Sequence, residues 1–278
     1  MIRRADEPGL YAGQLGLLSG WGVFSTLHVV EGALFTWERH WARMVRDARL
    51  LHVPMPPAAQ AVERDLLRLI EANGRPDCTL RIVVVRNTGG LWEGPTGGSE
   101  PIDVIALTAD GKKWGESGRI GIQPNARLAA NEFCGAKIHS WVQNLTWAER
   151  AARADLDEVI LLNEHGRVAE CTSANVFAVF GDEVRTPPLS EGCLPGITRE
   201  VLRGLEGGVV RESPLTLDDL HGADEVFITS TTRNLMPVRE IDGKALNREA
   251  RVREKLAVAF GDFVRLDIAR RKPAGVMV

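Results

Sequence analysis

Residues 158–180 read EVILLNEHGRVAECTSANVFAVF, and this stretch decides the architecture. Three runs rich in β-branched and aromatic residues, 158–163, 167–171 and 175–180, are each too short for a helix and are parted by turns at Gly166 and Thr172-Ser173, so they read as consecutive strands. Strands that succeed one another without an intervening helix belong to an antiparallel or mixed sheet. Upstream, WVQNLTWAERAARADL (141–156) predicts a helix. Downstream come a loop TPPLSEGCLPG (186–196), a helix GITREVLRGL (196–205), a strand EVFITS (225–230), a turn, and a C-terminal helix in REARVREKLAVAFGDFVRL (248–266).

The first half repeats this mixture. WGVFSTLHVVEGALFTW (21–37) holds two β-rich runs around Glu31-Gly32, a turn dipeptide, and reads as a hairpin. Trp41, Met44, Val45, Ala48 and Leu51 fall at helical spacing and are stopped by Pro54, Pro56 and Pro57; a second helix over 58–74 ends at Gly74. Strands TLRIVVVR (79–86) and PIDVIALTA (101–109) complete the unit. The polar run DGKKWGESGR (110–119) marks a crossing, so the chain reads as α+β with a small N-terminal domain over 1–108, a linker over 109–125 and a larger domain over 126–278 with mixed or antiparallel sheets.

The chain has 278 residues, 44% hydrophobic and 26% charged, which is enough for two modest cores. Its net charge of −3 is spread among both signs rather than gathered into a basic stripe, which argues against nucleic acid as a partner. No apolar run reaches the length of a membrane span, and the start MIRRADEPGLYAG lacks the apolar centre of a signal peptide, so a cytoplasmic location is expected. Cys78, Cys134, Cys171 and Cys193 are widely spaced, with no metal-like arrangement around them, and read as reduced thiols.

Five features carry chemistry. Lys137 is the only lysine between Lys113 and Lys244, and a primary amine can form a Schiff base where a guanidinium cannot. Glu170 opens the run E-C-T-S-A-N-V-F with Asn175 and Phe177; alone, a glutamate on an alternating strand could equally face solvent. GCLPGITRE (192–200) opens a helix at Ile197-Thr198, where free amides and a hydroxyl suit an anion, although a Pro-Gly turn with a good cap would look the same. EVFITSTTRNLMPVREIDG (225–243) ends a strand in Ser230-Thr231-Thr232. His40-Trp-Ala-Arg43-Met places an arginine on the first helix beside Arg39, Arg46 and Arg49, where alone it would read as a solvated charge.

Together, in this order, these motifs resemble the class IV, fold-type IV pyridoxal-phosphate enzymes, a family that includes branched-chain aminotransferases, D-amino-acid aminotransferases and aminodeoxychorismate lyases. The resemblance runs from about Gly22 to Gly243. It implies that Lys137 carries the cofactor as a Schiff base and later acts as general base, that Glu170 pairs with the pyridine nitrogen, and that Arg43, Ile197, Thr198 and Thr231 form one phosphate cup. It implies further that the Thr231-Thr232 backbone faces the substrate carboxylate, and that two copies of the chain form a homodimer. Trp21, Phe24, Phe35 and Trp37, more apolar surface than a small domain would be expected to bury alone, point the same way.

Substrate recognition stays open between two arginines. Arg81 and Arg86 are five apart and therefore on opposite faces of a regular strand. Arg81 is similar in position to the arginine that serves the glutamate carboxylate in branched-chain members; Arg86, before Asn-Thr-Gly-Gly, resembles the R-G-x-x-G run of D-amino-acid aminotransferases and lyases. The tyrosine that many branched-chain members place after the lysine is missing: Ile-His-Ser-Trp-Val follows Lys137, and the chain's one tyrosine is Tyr11. His139, Gln143, Asn144 or a water molecule are the alternatives for that place. Phe24-Ser25-Thr26 is similar to the F-x-T run of lyases. With Trp21 and Phe24 expected to line an apolar pocket, the expected activity is transfer from a branched-chain or other apolar amino acid to 2-oxoglutarate. Aminodeoxychorismate lyase and then D-amino-acid aminotransferase are the alternatives.

Overall fold

The computed structural model describes residues 2–7, 9–10, 14–89, 100–205, 207–246 and 251–271. They divide into two units, Met1–Lys112 with Lys137–Ser140 and Leu266–Val278, and Lys113–Ala136 with Trp141–Arg265.

The first unit contains α1 (Leu15–Leu18), β1 (Gly22–Val30), β2 (Ala33–Leu34), α2 (Trp37–Leu50), α3 (Ala59–Asn73), β3 (Cys78–Arg86) and β4 (Ile102–Ala109). Its sheet is antiparallel in the order β2-β1-β3-β4. The hairpin forms at Glu31 and Gly32, whose φ values of 50° and 80° both lie in the left-handed region that a two-residue turn matched to strand twist requires. Val23, Leu27 and Val29 of β1 and Leu80, Ile82 and Val84 of β3 alternate onto one face and pack with Trp37, Met44, Ala48, Leu66 and Ile70 of the two helices. Phe24 and Arg81 therefore belong to the opposite face. Gly74 ends α3 in the left-handed conformation, as its position predicts.

The second unit contains β5 (Gly118–Arg127), α4 (Val142–Arg153), β6 (Glu158–Asn163), β7 (Val168–Cys171), β8 (Asn175–Phe180), β9 (Glu183–Thr186), α5 (Ile197–Arg203), β10 (Val210–Glu212), α6 (Leu217–Gly222), β11 (Glu225–Ser230), β12 (Asn234–Ile241), β13 (Lys244–Ala245) and most of α7 (Arg251–Arg271). The strand order is β10-β9-β8-β11-β12-β5-β6-β7, with β13 on β12. The sheet is mixed, because β5 runs parallel to both β12 and β6 while β8, β11 and β12 are antiparallel neighbours. Phe177 and Phe227 sit opposite each other in the ladder, and their rings stack at 4.9 Å in the centre of the sheet.

Three expectations change. The stretch 109–125, read as a linker, supplies most of β5, a central strand whose Gly-Arg-Ile-Gly start hid it. The turn expected after Ser230 is short and leads into β12, which Pro237 disguised because proline lacks the ladder donor. Phe24, Phe35 and Trp37 are 3%, 3% and 2% exposed and Trp21 is half-buried, so the chain buries by itself three of the four residues that argued for a second copy. The expected start of the C-terminal helix at 248–250 lies outside the described residues, as does Tyr11. All four cysteines are free; Cys78, Cys171 and Cys193 are buried, and burial pushes the Cys193 thiol up to about 12. Among the described residues no helix is long and apolar enough to cross a membrane.

Candidate active site

In the first unit the buried face of α2 carries His40, Arg43 and Asp47 at i, i+3 and i+7. Ser25, which alternates onto the helix-facing side of β1, binds two of them: its Oγ accepts from Arg43 Nη2 at 2.9 Å and lies 2.7 Å from His40 Nδ1. Burial, then the positive charges of Arg43, Lys137 and Arg271, hold His40 well below the usual histidine range. It is therefore neutral in the folded protein. Unfolding returns it to a pKa of about 6.5, so below that pH the unfolded chain takes up a proton that the folded one refuses. Stability is expected to fall as pH drops below the ordinary histidine range, and this group contributes little to the pH dependence above it. Urea unfolding across that range should show a shallower slope for His40→Gln. Equal slopes would assign the pH dependence to other groups.

Lys137 follows the edge of β1. The Phe24 N–H donates to the Lys137 carbonyl at 3.1 Å, the His139 N–H donates to the Gly22 carbonyl at 2.7 Å, and Val23 faces Ile138 in antiparallel register. Phe24 and Lys137 thus project to the same side, and Lys137 Nζ lies 4.5 Å from the centroid of the Phe24 ring. The Arg81 guanidinium lies 4.0 Å from the same centroid. Arg81 is exposed at the surface, yet partial desolvation holds its pKa below the usual value. His139 is also lowered, by burial and then by Arg81. One aromatic ring therefore carries an amine and a guanidinium, a setting that favours an anionic ligand.

Arg86 has different work. Its Nε donates to the Thr88 carbonyl at 2.6 Å, its Nη1 to the His52 carbonyl at 2.9 Å, and its guanidinium stacks on Trp21 at 4.3 Å. These bonds brace backbone, so of the two candidate arginines it is Arg81 that shares a ring with Lys137.

In the second unit Glu170 is 5% exposed and both its oxygens are held: Arg127 Nε donates to Oε1 at 3.0 Å and the Leu194 N–H to Oε2 at 2.9 Å. Arg127 Nη2 continues to Asn144 Oδ1 at 3.2 Å, and Asn144 Nδ2 donates to the Thr172 carbonyl at 2.6 Å. Asn175, from the same motif as Glu170, donates to the Leu194 carbonyl at 2.8 Å. A side chain at Gly196 would strike Asn175 Oδ1, so the glycine before Ile197 is a requirement of close approach. Ile197 and Thr198 are both 3% exposed.

A buried ion pair ties the remaining loops together. Glu158 Oε2 takes Arg233 Nη1 at 2.8 Å and Ser173 Oγ at 2.7 Å, while Oε1 takes the Thr172 and Val159 N–H groups at 3.1 Å each and the Thr172 hydroxyl. Arg233 also stacks on Trp114 at 3.8 Å, and its N–H donates to Ser230 Oγ at 3.2 Å. The turn carrying Thr231 and Thr232 is thus fastened to the loop that follows Glu170. Charges buried this deeply persist only when paired and fully hydrogen-bonded. Arg127, Glu158 and Arg233 were not singled out from sequence. A glutamate heading the apolar run EVILLN and an arginine directly after Thr231-Thr232 were the available signals.

The amino-transferase class IV family model matches residues 22–241. A Methanocaldococcus jannaschii protein assigned as a branched-chain-amino-acid aminotransferase is 32% identical, over 89% of this chain and 88% of its own. D-alanine aminotransferase of Bacillus licheniformis is 30% identical over 84% of each. A crystal structure of a Legionella pneumophila protein assigned as a 4-amino-4-deoxychorismate lyase superposes with a TM-score of 0.85 at 21% identity, covering 94% of this chain and 97% of that one.

Proposed function

The chain belongs to the class IV aminotransferase family of fold-type IV pyridoxal-phosphate enzymes, and from that premise we propose that it moves an amino group from a branched-chain or other apolar amino acid to a 2-oxo acid such as 2-oxoglutarate. The observation that carries this reading is the Phe24 ring flanked by Lys137 Nζ at 4.5 Å and Arg81 at 4.0 Å. An amine is needed for the chemistry, a guanidinium suits the second carboxylate of a dicarboxylic acceptor, and the ring offers an apolar wall for the donor's side chain.

The donor set suits pyridoxal phosphate: a primary amine among positive groups, a buried carboxylate with its orientation fixed, and threonines beside a tight glycine turn. When bound, the cofactor supplies an electron sink for charge developing at the substrate Cα. Lys137 Nζ holds it and then moves the Cα proton as general base. Glu170, aligned by Arg127 and the Leu194 amide, favours a positively charged ring nitrogen. Arg43, the amides of Ile197 and Thr198 and the hydroxyls of Thr198 and Thr231 would hold the phosphate, while Thr232 and Arg81 would take substrate carboxylates. Arg43→Ala is expected to weaken cofactor binding by about 2–3 kcal/mol, the scale of lost hydrogen bonds to a charged group. Fluorescence titration with unchanged affinity would remove Arg43 from the cup.

The lyase alternative draws on Phe24-Ser25-Thr26, whose Phe24 and Thr26 lie on the sheet face opposite the buried Ser25. D-amino-acid transfer is favoured by the 30% identity to a D-alanine aminotransferase. A panel of L- and D-amino acids and of aminodeoxychorismate, scoring keto acid, glutamate and pyruvate separately, tests all three. Pyruvate release from aminodeoxychorismate without keto-acid exchange would overturn the transferase reading. The working form is proposed to be a cytoplasmic homodimer, with Val142 and Leu145 of α4, 67% and 61% exposed, as apolar surface for a second copy. Light scattering that finds a fully active monomer would refute it.

A further inference from the structure

We infer that Asp47 is a positioning residue for Lys137: its buried carboxylate takes the lysine's backbone N–H and sets where the lysine stands on the edge of β1. The inference rests on the assignment of Lys137 to the cofactor.

Aspartate has poor helix propensity, and a charge inside a helix–sheet interface is costly unless paired, so Asp47 on the buried face of the last turn of α2 calls for a reason. Its side chain is 1% exposed. Arg46, half-exposed, covers Oδ1 through Nε at 2.8 Å and through Nη2. Oδ2 accepts the Lys137 N–H at 3.0 Å. That bond spans 90 residues of sequence and falls at the Phe24–Lys137 pair, where the lysine carbonyl already receives the Phe24 N–H. Backbone on both sides of the lysine's Cα is therefore held, by the helix on one side and by β1 on the other. The direction in which the side chain leaves, over the Phe24 ring, follows from those two bonds.

Arg43 lies one turn earlier on the same helix face. A single rigid helix thus carries both a proposed phosphate ligand and the anchor of the reactive lysine, which fixes their spacing more tightly than a loop would. Loss of Asp47 would leave the segment attached through the Phe24 and His139 bonds and through Ser140 Oγ, which donates to the Gly20 carbonyl at 3.1 Å. The effect should accordingly fall on the lysine's reactivity and spare phosphate binding.

The test uses the full chain with two probes. Pyridoxal phosphate followed by borohydride and peptide mapping reads covalent capture at Lys137; pyridoxamine 5'-phosphate, which cannot bond to the lysine, reads the phosphate grip. Asp47→Ala is expected to lower covalent capture affinity about tenfold and to shift pyridoxamine 5'-phosphate affinity less than about threefold. Asp47→Asn, whose amide oxygen still accepts the N–H, is expected to restore capture to within about threefold of the parent. Unchanged capture in Asp47→Ala, equal losses for both probes, or no rescue by asparagine would overturn the inference. Should Asp47→Ala fail to fold, Asp47→Asn decides alone: near-parental capture supports the role and a tenfold loss overturns it. Absence of label at Lys137 in the parent would remove the lysine assignment itself, before any variant is compared.

Discussion

Lys137→Ala is expected to leave a folded protein that binds pyridoxal phosphate weakly and turns over at least about 10⁴-fold more slowly, because both the proposed covalent attachment point and the proposed general base disappear together. The fold should survive. What holds residues 137–140 is backbone, through the Phe24, His139 and Asp47 bonds, and none of these uses the lysine side chain. The measurement is steady-state turnover beside thermal unfolding, in buffer free of small amines that could stand in for the missing group. Parental turnover in that buffer would end the assignment of Lys137. Collapse of the fold would instead show that the amine has a structural task beyond its contact with Phe24.

Glu170→Ala is expected to keep the covalent attachment to Lys137 but to lose on the order of 10³-fold in turnover, since the charge proposed to pair with the ring nitrogen is removed. It also strips a 12% exposed arginine, Arg127, of its ion-pair partner, and breaking a buried pair from one side destabilises by about 3–5 kcal/mol. Glu170→Gln separates the two effects. The amide oxygen can still accept from Arg127 or the Leu194 amide, so unfolding should move much less than in the alanine variant while turnover falls to a similar level. If Glu170→Gln turns over like the parent, some other group pairs with the ring nitrogen.

Much of the fold was legible because its signals are local. Residues 158–163, 175–180 and 225–230 coincide with β6, β8 and β11, and the hairpin at Glu31-Gly32, the helix stop at Gly74 and the helix start at Ile197 all stand where turn and cap chemistry place them. Elements without such signals were lost. β5 begins with two glycines in four residues and β12 carries Pro237, yet both lie in the interior of the large sheet, where neighbours on each side outweigh weak local preference.

The candidate residues Lys137, Glu170, Arg43 and the threonine runs were proposed from sequence because a reaction constrains residue identity and spacing along the chain. Which of Arg81 and Arg86 serves a ligand could not. Alternation put them on opposite faces, but only the register of β1 with β3 and the edge pairing of Lys137 show Arg81 over Phe24, and only tertiary contacts occupy Arg86 with the carbonyls of His52 and Thr88. Asp47 and Lys137, Arg127 and Glu170, and Glu158 and Arg233 are likewise pairs joined across long stretches of chain. Sequence by itself determined the α+β class and most elements, because periodicity and turn chemistry act over a few residues, and its ordered motifs pointed to the family. The tertiary structure decided what holds those residues in place, because a buried charge must find a partner and sheet register determines which one comes within reach.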